Sequence, residues 1–450
     1  VLIGLQIYYL AASTLLFLYA IYSNHNAVHA FGYGIALNIF PLMFMPYVSM
    51  NIARMAGIPL AYLPVIAAGL ALAVRNRMRV PRRYGLLLGL TVLYCIYAFV
   101  TTVLIGGTTF SNFAYWLAWP LNFVVFFSAV SFFSKVDRVV ANKVIKSTAM
   151  ILVAGCLVGL ARLASGIEAD ANFMPAVNRN GTVVFTVMIC PLLFYIFEDE
   201  RKSRTWLLFC LGAVFLALVS IYSRSGLIGL VLGVVLYFLR FTLGGLIKSM
   251  AAIMVIIVFI SSGVAEKSLH RLEGTSNTIN MVLRGDQLDQ HTMGDYARVA
   301  LLTGAIETAK EHFWFGTGLG LENYREGLRK ASNYDRLSKA HNFYVSYFAE
   351  LGVVGFSILL AILYLIWRSL LPLSSRYRAF RVSYIVIAVM MAMNEYILLP
   401  ELWFFFGMLA GMSYSSMNGM AVLPAVHAAT HPLRYVQPAF NRIDNRMTRG

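Results

Sequence analysis

Arg224 stands in the run Tyr222-Ser223-Arg224-Ser225-Gly226, a short polar interruption between two apolar blocks. A guanidinium costs roughly 2.5 to 3.5 kcal/mol at a bilayer centre and less at its edge, so this arginine is either a snorkelling loop residue or an anion site. Arg298 follows Asp295 by three residues near the start of a helical pattern, where it is either a solvated partner of Asp295 or a second anion ligand. His341, in Ala340-His341-Asn342-Phe343-Tyr344, opens another apolar block. An imidazole with an unperturbed pKa near 6.5 can take a proton at physiological pH, although a lone boundary histidine also serves structure. Arg179, in Asn178-Arg179-Asn180-Gly181, is a weaker member of the set, with Arg162 and Arg54 weaker still.

These types suit one chemistry. Planar guanidinium groups bind phosphate oxygens through paired, charge-assisted hydrogen bonds worth roughly 1.5 to 3 kcal/mol each. A diphosphate leaving group calls for two such clamps, and one base must take the proton of an attacking hydroxyl. Two arginines and a histidine on one membrane face therefore fit glycosyl transfer from a lipid-linked diphosphate sugar better than transport of a metal or proton. No carboxylates pair with metal-ligand spacing, so a metal-independent reaction is expected.

Other polar features are less specific. Gly316-Thr317-Gly318-Leu319-Gly320 resembles a phosphate-cradling run, but its glycines are too closely spaced for a dinucleotide fingerprint, and it reads as a tight turn. Glu350 lies inside an apolar span and needs a partner within the protein; it either orients His341, supports an arginine or forms a structural ion pair. Gly352 and Gly355 on the same span are expected to let helices approach closely. Asn394, Glu395 and Glu401 add polarity near the last spans with no assigned role.

The elements that must position these groups are membrane helices. Of 450 residues, 59% are hydrophobic and 12% charged, and mean hydropathy is +0.71, which excludes a water-soluble fold. About thirteen apolar blocks are long enough to cross a bilayer. Their approximate limits are 2 to 22, 29 to 50, 56 to 75, 84 to 106, 113 to 133, 147 to 165, 181 to 198, 205 to 222, 225 to 242, 247 to 263, 343 to 367, 381 to 399 and 401 to 416. The first lacks a basic start followed by a small-residue cleavage site, so it reads as a span. The four cysteines, Cys95, Cys156, Cys190 and Cys210, fall within apolar blocks and give neither a disulfide framework nor a zinc site.

The net charge of +16 sorts by side. Alternate connections hold 22 of the 36 Lys and Arg, including Arg75, Arg82, Lys135, Arg201, Arg240, Arg368 and Arg434, which makes that side cytoplasmic. The excess is spread over six connections as insertion requires, so nucleic-acid binding loses its support. The opposite side carries 15 of the 20 acids and one long connection, 264 to 342, with ten bases and ten acids. Within it, Asp295 to His312 has a helical pattern with Ala297, Leu301 and Ala305 on one side, and Phe313, Trp314 and Phe315 follow as a membrane-surface anchor. The expected organisation is an all-α, polytopic transmembrane bundle: an N-terminal bundle over 1–263, a periplasmic loop over 264–342, C-terminal helices over 343–416 and a basic cytoplasmic tail over 417–450.

The ordered run of Ser223-Arg224-Ser225-Gly226, Arg298 with the helix into Phe315-Gly316-Thr317-Gly318-Leu319-Gly320, and Ala340-His341-Asn342-Phe343-Tyr344 leading to Glu350-Leu351-Gly352-Val353-Val354-Gly355 resembles the O-antigen ligase family. That family also holds polysaccharide polymerases and protein O-oligosaccharyltransferases, and the likeness covers roughly residues 175 to 367. It implies a metal-independent, inverting glycosyltransferase of the GT-C type that needs no cofactor. The implied donor is an undecaprenyl-diphosphate-linked glycan on the periplasmic face of the bacterial inner membrane. Arg224 and Arg298, joined by Arg179, would hold the diphosphate; His341 would activate the acceptor or hold the diphosphate; Asn342 and Glu350 would support them. Lipid A-core is the first expected acceptor, another lipid-linked repeat unit the second. The family has about twelve spans, so one of the first three blocks is not a true crossing or a further span precedes them. From a different class, a lipid-linked glycan flippase suits the span number, but no internal repeat is present and the ionisable groups gather at one face and not at the midplane.

Overall fold

The computed structural model describes residues 2–22, 30–39, 54–55, 58–59, 63–75, 78–107, 109–136, 138–165, 183, 187–188, 190–196, 204–220, 224–238, 293–332, 339–371, 378–393, 395 and 397–417; at residues 2, 3, 5, 31, 32, 35, 38, 39, 54, 55, 58, 59, 138, 204, 219, 224, 227, 293–300, 330–332, 416 and 417 it describes the backbone alone. Among these the regular elements are helices, apart from one antiparallel pair, Arg54–Met55 against Ile58–Pro59. The helices are α1 (Leu2–Tyr22), α2 (Ala30–Ile39), α3 (Leu63–Arg75), α4 (Gly85–Leu104), α5 (Phe110–Phe133), α6 (Arg138–Ala164) and α7 (Arg204–Ser220). They continue with α8 (Arg224–Phe238), α9 (Met293–Glu311), α10 (Leu321–Ser332), α11 (Phe343–Leu370), α12 (Arg378–Met391) and α13 (Pro400–Met417).

Among the described residues, four stretches are long and apolar enough to cross a membrane: Arg82–Leu104, Phe110–Phe133, Val139–Ala164 and Phe343–Leu370. The expected span 56 to 75 begins instead with the Ile58–Pro59 strand, and α3 follows with 13 residues. At about 1.5 Å per residue such a helix covers roughly 20 Å, less than a bilayer core. The expected span 381 to 399 also changes: α12 ends at Met391, which leaves residues 392–399 as a connection. The α4 helix shows how the bundle divides its surface. Thr91, Tyr94, Ala98, Thr101 and Thr102 are buried, while Leu86, Leu93, Ile96, Val100 and Leu104 are exposed at a helical spacing that suits lipid contact.

The centre of the bundle is the packing of α13 on α5. Small residues permit it: a Cβ on Gly407 would meet the Phe126 carbonyl oxygen at 2.3 Å, so the two backbones touch there. Trp119 and Phe123 of α5 meet Trp403 of α13 at ring-centroid distances of 6.0 and 4.9 Å. Asn122 donates its side-chain amide to the Leu398 carbonyl at 3.2 Å, which ties α5 to the connection before α13.

The α11 helix departs most from a simple span. Its N-cap Asn342 accepts from the Val345 N–H, and the helix runs on to a break at Gly352, where φ is 63° and ψ −176°. This glycine, expected to serve close helix approach, interrupts the helix and gives close approach to the turn after α9. Gly355 does serve close approach, since a Cβ there would meet the Tyr97 ring at 2.2 Å. An interrupted helix leaves backbone groups without partners, which apolar surroundings penalise. The turn after α9 supplies them. Thr317 N–H donates to the Ala349 carbonyl at 3.0 Å and Gly318 N–H to the Glu350 carbonyl at 2.9 Å, while Val353 N–H donates to the Phe313 carbonyl at 2.8 Å. The approach leaves no room for side chains: Cβ atoms on Gly316 and Gly352 would lie 2.2 Å from the Glu350 carbonyl oxygen and 2.4 Å from the Trp314 carbonyl carbon. Replacing Gly352 by alanine therefore combines a backbone conformation reserved for glycine with an overlap, each costing about 1 to 3 kcal/mol. Thermal unfolding of the purified Gly352→Ala protein in detergent is expected to show a clearly lowered midpoint; an unchanged midpoint contradicts the fitted turn.

Candidate active site

The described residues place three of the predicted site residues at one end of the bundle. Arg298 lies on the second turn of α9, and that helix runs parallel to the start of α11. Leu301, Ala305 and Ala309 of α9 share an apolar cluster with Ala340, Val345, Phe348 and Ala349, all on the His341 side of the Phe313–Val353 hydrogen bond. At about 1.5 Å per residue, Arg298 lies about 22 Å from Phe313, and Phe343 about 15 Å from Val353. His341 lies two residues before Phe343, at the same end of α11. Arg224 is the first residue of α8, which packs antiparallel on α12: a Cβ on Gly229 would meet Met390, and one on Gly233 would meet Val386. The start of α8 thus shares an end with the 392–399 connection. Within that connection Glu395 accepts a hydrogen bond from Ser346, in the first turn of α11. Arg179 lies outside the described residues, as does Asn394.

Asn342 and Glu350 have defined partners. Asn342 caps α11 through its side-chain oxygen, 3.2 Å from Val345 N. Glu350 is fully buried, and its partner is Lys339, whose Nζ lies 2.7 and 2.8 Å from the two carboxylate oxygens. Oε1 also accepts the Gly320 N–H at 3.3 Å. Lys339 is 9% exposed, donates to the Tyr115 hydroxyl and sits 4.2 and 4.7 Å from the Tyr115 and Tyr347 ring centroids. Those two hydroxyls are 3.0 Å apart. The ammonium is thus satisfied by a carboxylate, a phenol and two ring faces, the pattern that makes a buried cation tolerable. Glu401, also without an expected role, is buried in the first turn of α13.

The sequence assigns no role to Lys339 or Tyr115, and Glu395 reads there only as polarity near the last spans. Lys339 counted among the ten bases of a neutral loop; the signal that could have found it is the demand of Glu350 for a cation. Tyr115 carries no sequence signal, because a tyrosine in an aromatic helix reads as core. Among the described residues, no three His, Cys, Asp or Glu side chains gather to hold a metal.

Glu395 lies 3.9 Å from Lys339. Burial pushes its carboxyl up to about 7, against the lowering effects of Lys339 and the Ser346 hydroxyl, while Glu350 raises it further. Burial likewise raises the Tyr324 phenol on α10, with Glu395 adding to the effect. A carboxyl raised on folding contributes stability that is complete below its ordinary 4.5 and is lost as pH climbs through about 7. The thermal midpoint is therefore expected to fall between about pH 5 and about pH 8, and Glu395→Gln to remove that part of the slope. Parallel pH profiles for the two proteins contradict this assignment.

Residues 207–360 match the family described as O-Antigen ligase, which supports assignment of the chain to that family. The matched stretch runs from α7 into α11 and holds Arg224, Arg298, Lys339, His341, Asn342 and Glu350. It supports a membrane-bound activity of the O-antigen ligase or polymerase type, which is glycosyltransferase-like. No curated protein matches the chain.

Proposed function

We propose that this chain is an inverting glycosyltransferase that moves a glycan from undecaprenyl diphosphate to a hydroxyl of lipid A-core, at the periplasmic face of the inner membrane. The observation that carries the reading is the convergence of the start of α8 at Arg224, the second turn of α9 at Arg298, and His341 at one end of the bundle. Arg179 is assigned to the same diphosphate site on its outward position in the sequence. Charge asymmetry between connections makes that end the outer one.

In the proposed reaction the acceptor hydroxyl oxygen attacks the anomeric carbon from the face opposite the diphosphate. The new carbon–oxygen bond forms as the bond to the diphosphate oxygen breaks, and that oxygen leaves with the electron pair. His341 takes the hydroxyl proton. Arg224 and Arg298 hold the charge that grows on the leaving diphosphate, which supplies the compensation a metal ion would otherwise provide. The exposed Phe313, Trp314 and Phe315 suit the turn after α9 to a membrane-surface anchor.

The test is transfer by the purified full chain in liposomes, with undecaprenyl-diphosphate-linked oligosaccharide as donor and lipid A-core as acceptor. Product is expected without a nucleotide and in the presence of EDTA. His341→Ala is expected to lose about 10²- to 10⁴-fold of the rate. Arg224→Ala and Arg298→Ala are each expected to lose about 10-fold to 10²-fold, from 1.5 to 3 kcal/mol of charge-assisted binding. Wild-type rates in all three variants, or loss of activity in EDTA with rescue by metal, overturn the proposal. Product with only a lipid-linked repeat unit as acceptor makes the enzyme a polymerase on the same donor chemistry. Lipid translocation without transfer makes it a flippase.

A further inference from the structure

His341 has a left-handed backbone, with φ at 52°. For a residue other than glycine this costs about 1 to 2 kcal/mol and persists only where the surroundings fix it. Asn342 fixes one side by capping α11. The other side is fixed by Lys339. Its ammonium meets Glu350, about 10 Å along α11 from Phe343, a separation that two extended side chains bridge only if residue 339 does not stand well above the helix start. Residues 339 and 340 must therefore run down beside the first two turns, and Ala340 is indeed buried in one cluster with Ala349. The chain reverses at His341, and the left-handed residue makes the reversal.

The same carboxylate reaches a second element. Glu350 Oε1 accepts from Gly320 N–H, so the pair also grips the far end of the turn that follows α9, the helix carrying Arg298. On its remaining sides Lys339 faces Tyr115 of α5, Tyr347 of α11, Tyr324 of α10 at 5.9 Å, and Glu395 of the 392–399 connection. An apolar residue would fill this space without desolvating two ions, yet it would set neither the depth of residue 339 nor its register against Gly320.

We propose that Lys339, clamped by Glu350 and Tyr115, is a positioning residue for His341: it holds the chain reversal that presents the imidazole at a fixed height relative to the α9 helix. Lys339 itself touches no substrate. The inference rests on the reading of His341 as the group that accepts the acceptor's proton.

The test is the liposome transfer assay, with thermal unfolding of each protein measured alongside. Lys339→Met leaves Glu350 buried without its cation and lowers the yield of folded protein. The double replacement Lys339→Met with Glu350→Gln removes both charges, so the fold is retained. Per folded molecule, the double variant is expected to lose at least about tenfold in kcat, with KM for undecaprenyl-diphosphate-linked oligosaccharide changed less than about threefold. In a His341→Ala background the same replacement is expected to change the residual rate less than about twofold, because it acts through His341. If the double variant turns over within about twofold of wild type while His341→Ala is impaired, Lys339 is structural and the proposal falls, while the reading of His341 stands. If His341→Ala is itself fully active, both fall.

Discussion

Taking a lysine and a glutamate out of water costs several kcal/mol per ion, and their attraction offsets that only when the remaining donors and acceptors are also satisfied. Lys339 and Glu350 meet that condition with Tyr115 and the Gly320 N–H, and the way they meet it organises this end of the molecule. Tyr115 belongs to α5, Lys339 to the segment entering α11, Glu350 to α11, and Gly320 to the turn that leaves α9. One ion pair thus joins four parts of the chain separated by up to 235 residues in sequence, from Tyr115 to Glu350. Loss of either partner leaves the other as an uncompensated buried charge, a penalty of about 3 to 5 kcal/mol.

The break in α11 depends on the same neighbourhood. A helix interrupted at Gly352 would expose polar backbone inside the bundle, and the Phe313–Gly318 turn covers it with N–H donors and carbonyls of its own. The turn can approach because Gly316 and Gly352 lack side chains at the contact. It holds α9 at a set height on α11, and with it the level of Arg298 relative to His341. Stability and the arrangement of candidate catalytic groups therefore have a common origin in one helix break and one buried pair.

Much of the architecture is legible in the sequence because apolar blocks of membrane length and their basic flanks are strong signals. The helix from Asp295 is legible as well, and Leu301 and Ala305 on its expected face are buried against α10 and α11. The glycine run is legible as a turn. What it packs against is not, because Gly352 reads locally like any small residue in a membrane helix. The Ile58–Pro59 strand is hidden for a similar reason, since these residues pass as the start of the span expected from 56. At the site, Glu350 announces a need for a partner but not which one. Lys339 looks like an ordinary loop base, and Tyr115 and Glu395 gain meaning only when folding brings them to it.

We propose that a lipid diphosphate binds at the end of the bundle that holds the start of α8, the second turn of α9 and His341. Photo-crosslinking tests it most directly, using undecaprenyl diphosphate with a photoreactive group beside the diphosphate, the full-length protein in liposomes, and mass spectrometry of the labelled peptides. Labelling is expected to concentrate on peptides containing Arg224, Arg298 and residues 339–346, and to be suppressed by excess unlabelled undecaprenyl diphosphate. Competable labelling concentrated at the opposite end, around Arg75–Arg83 or Arg368–Arg381, would contradict it.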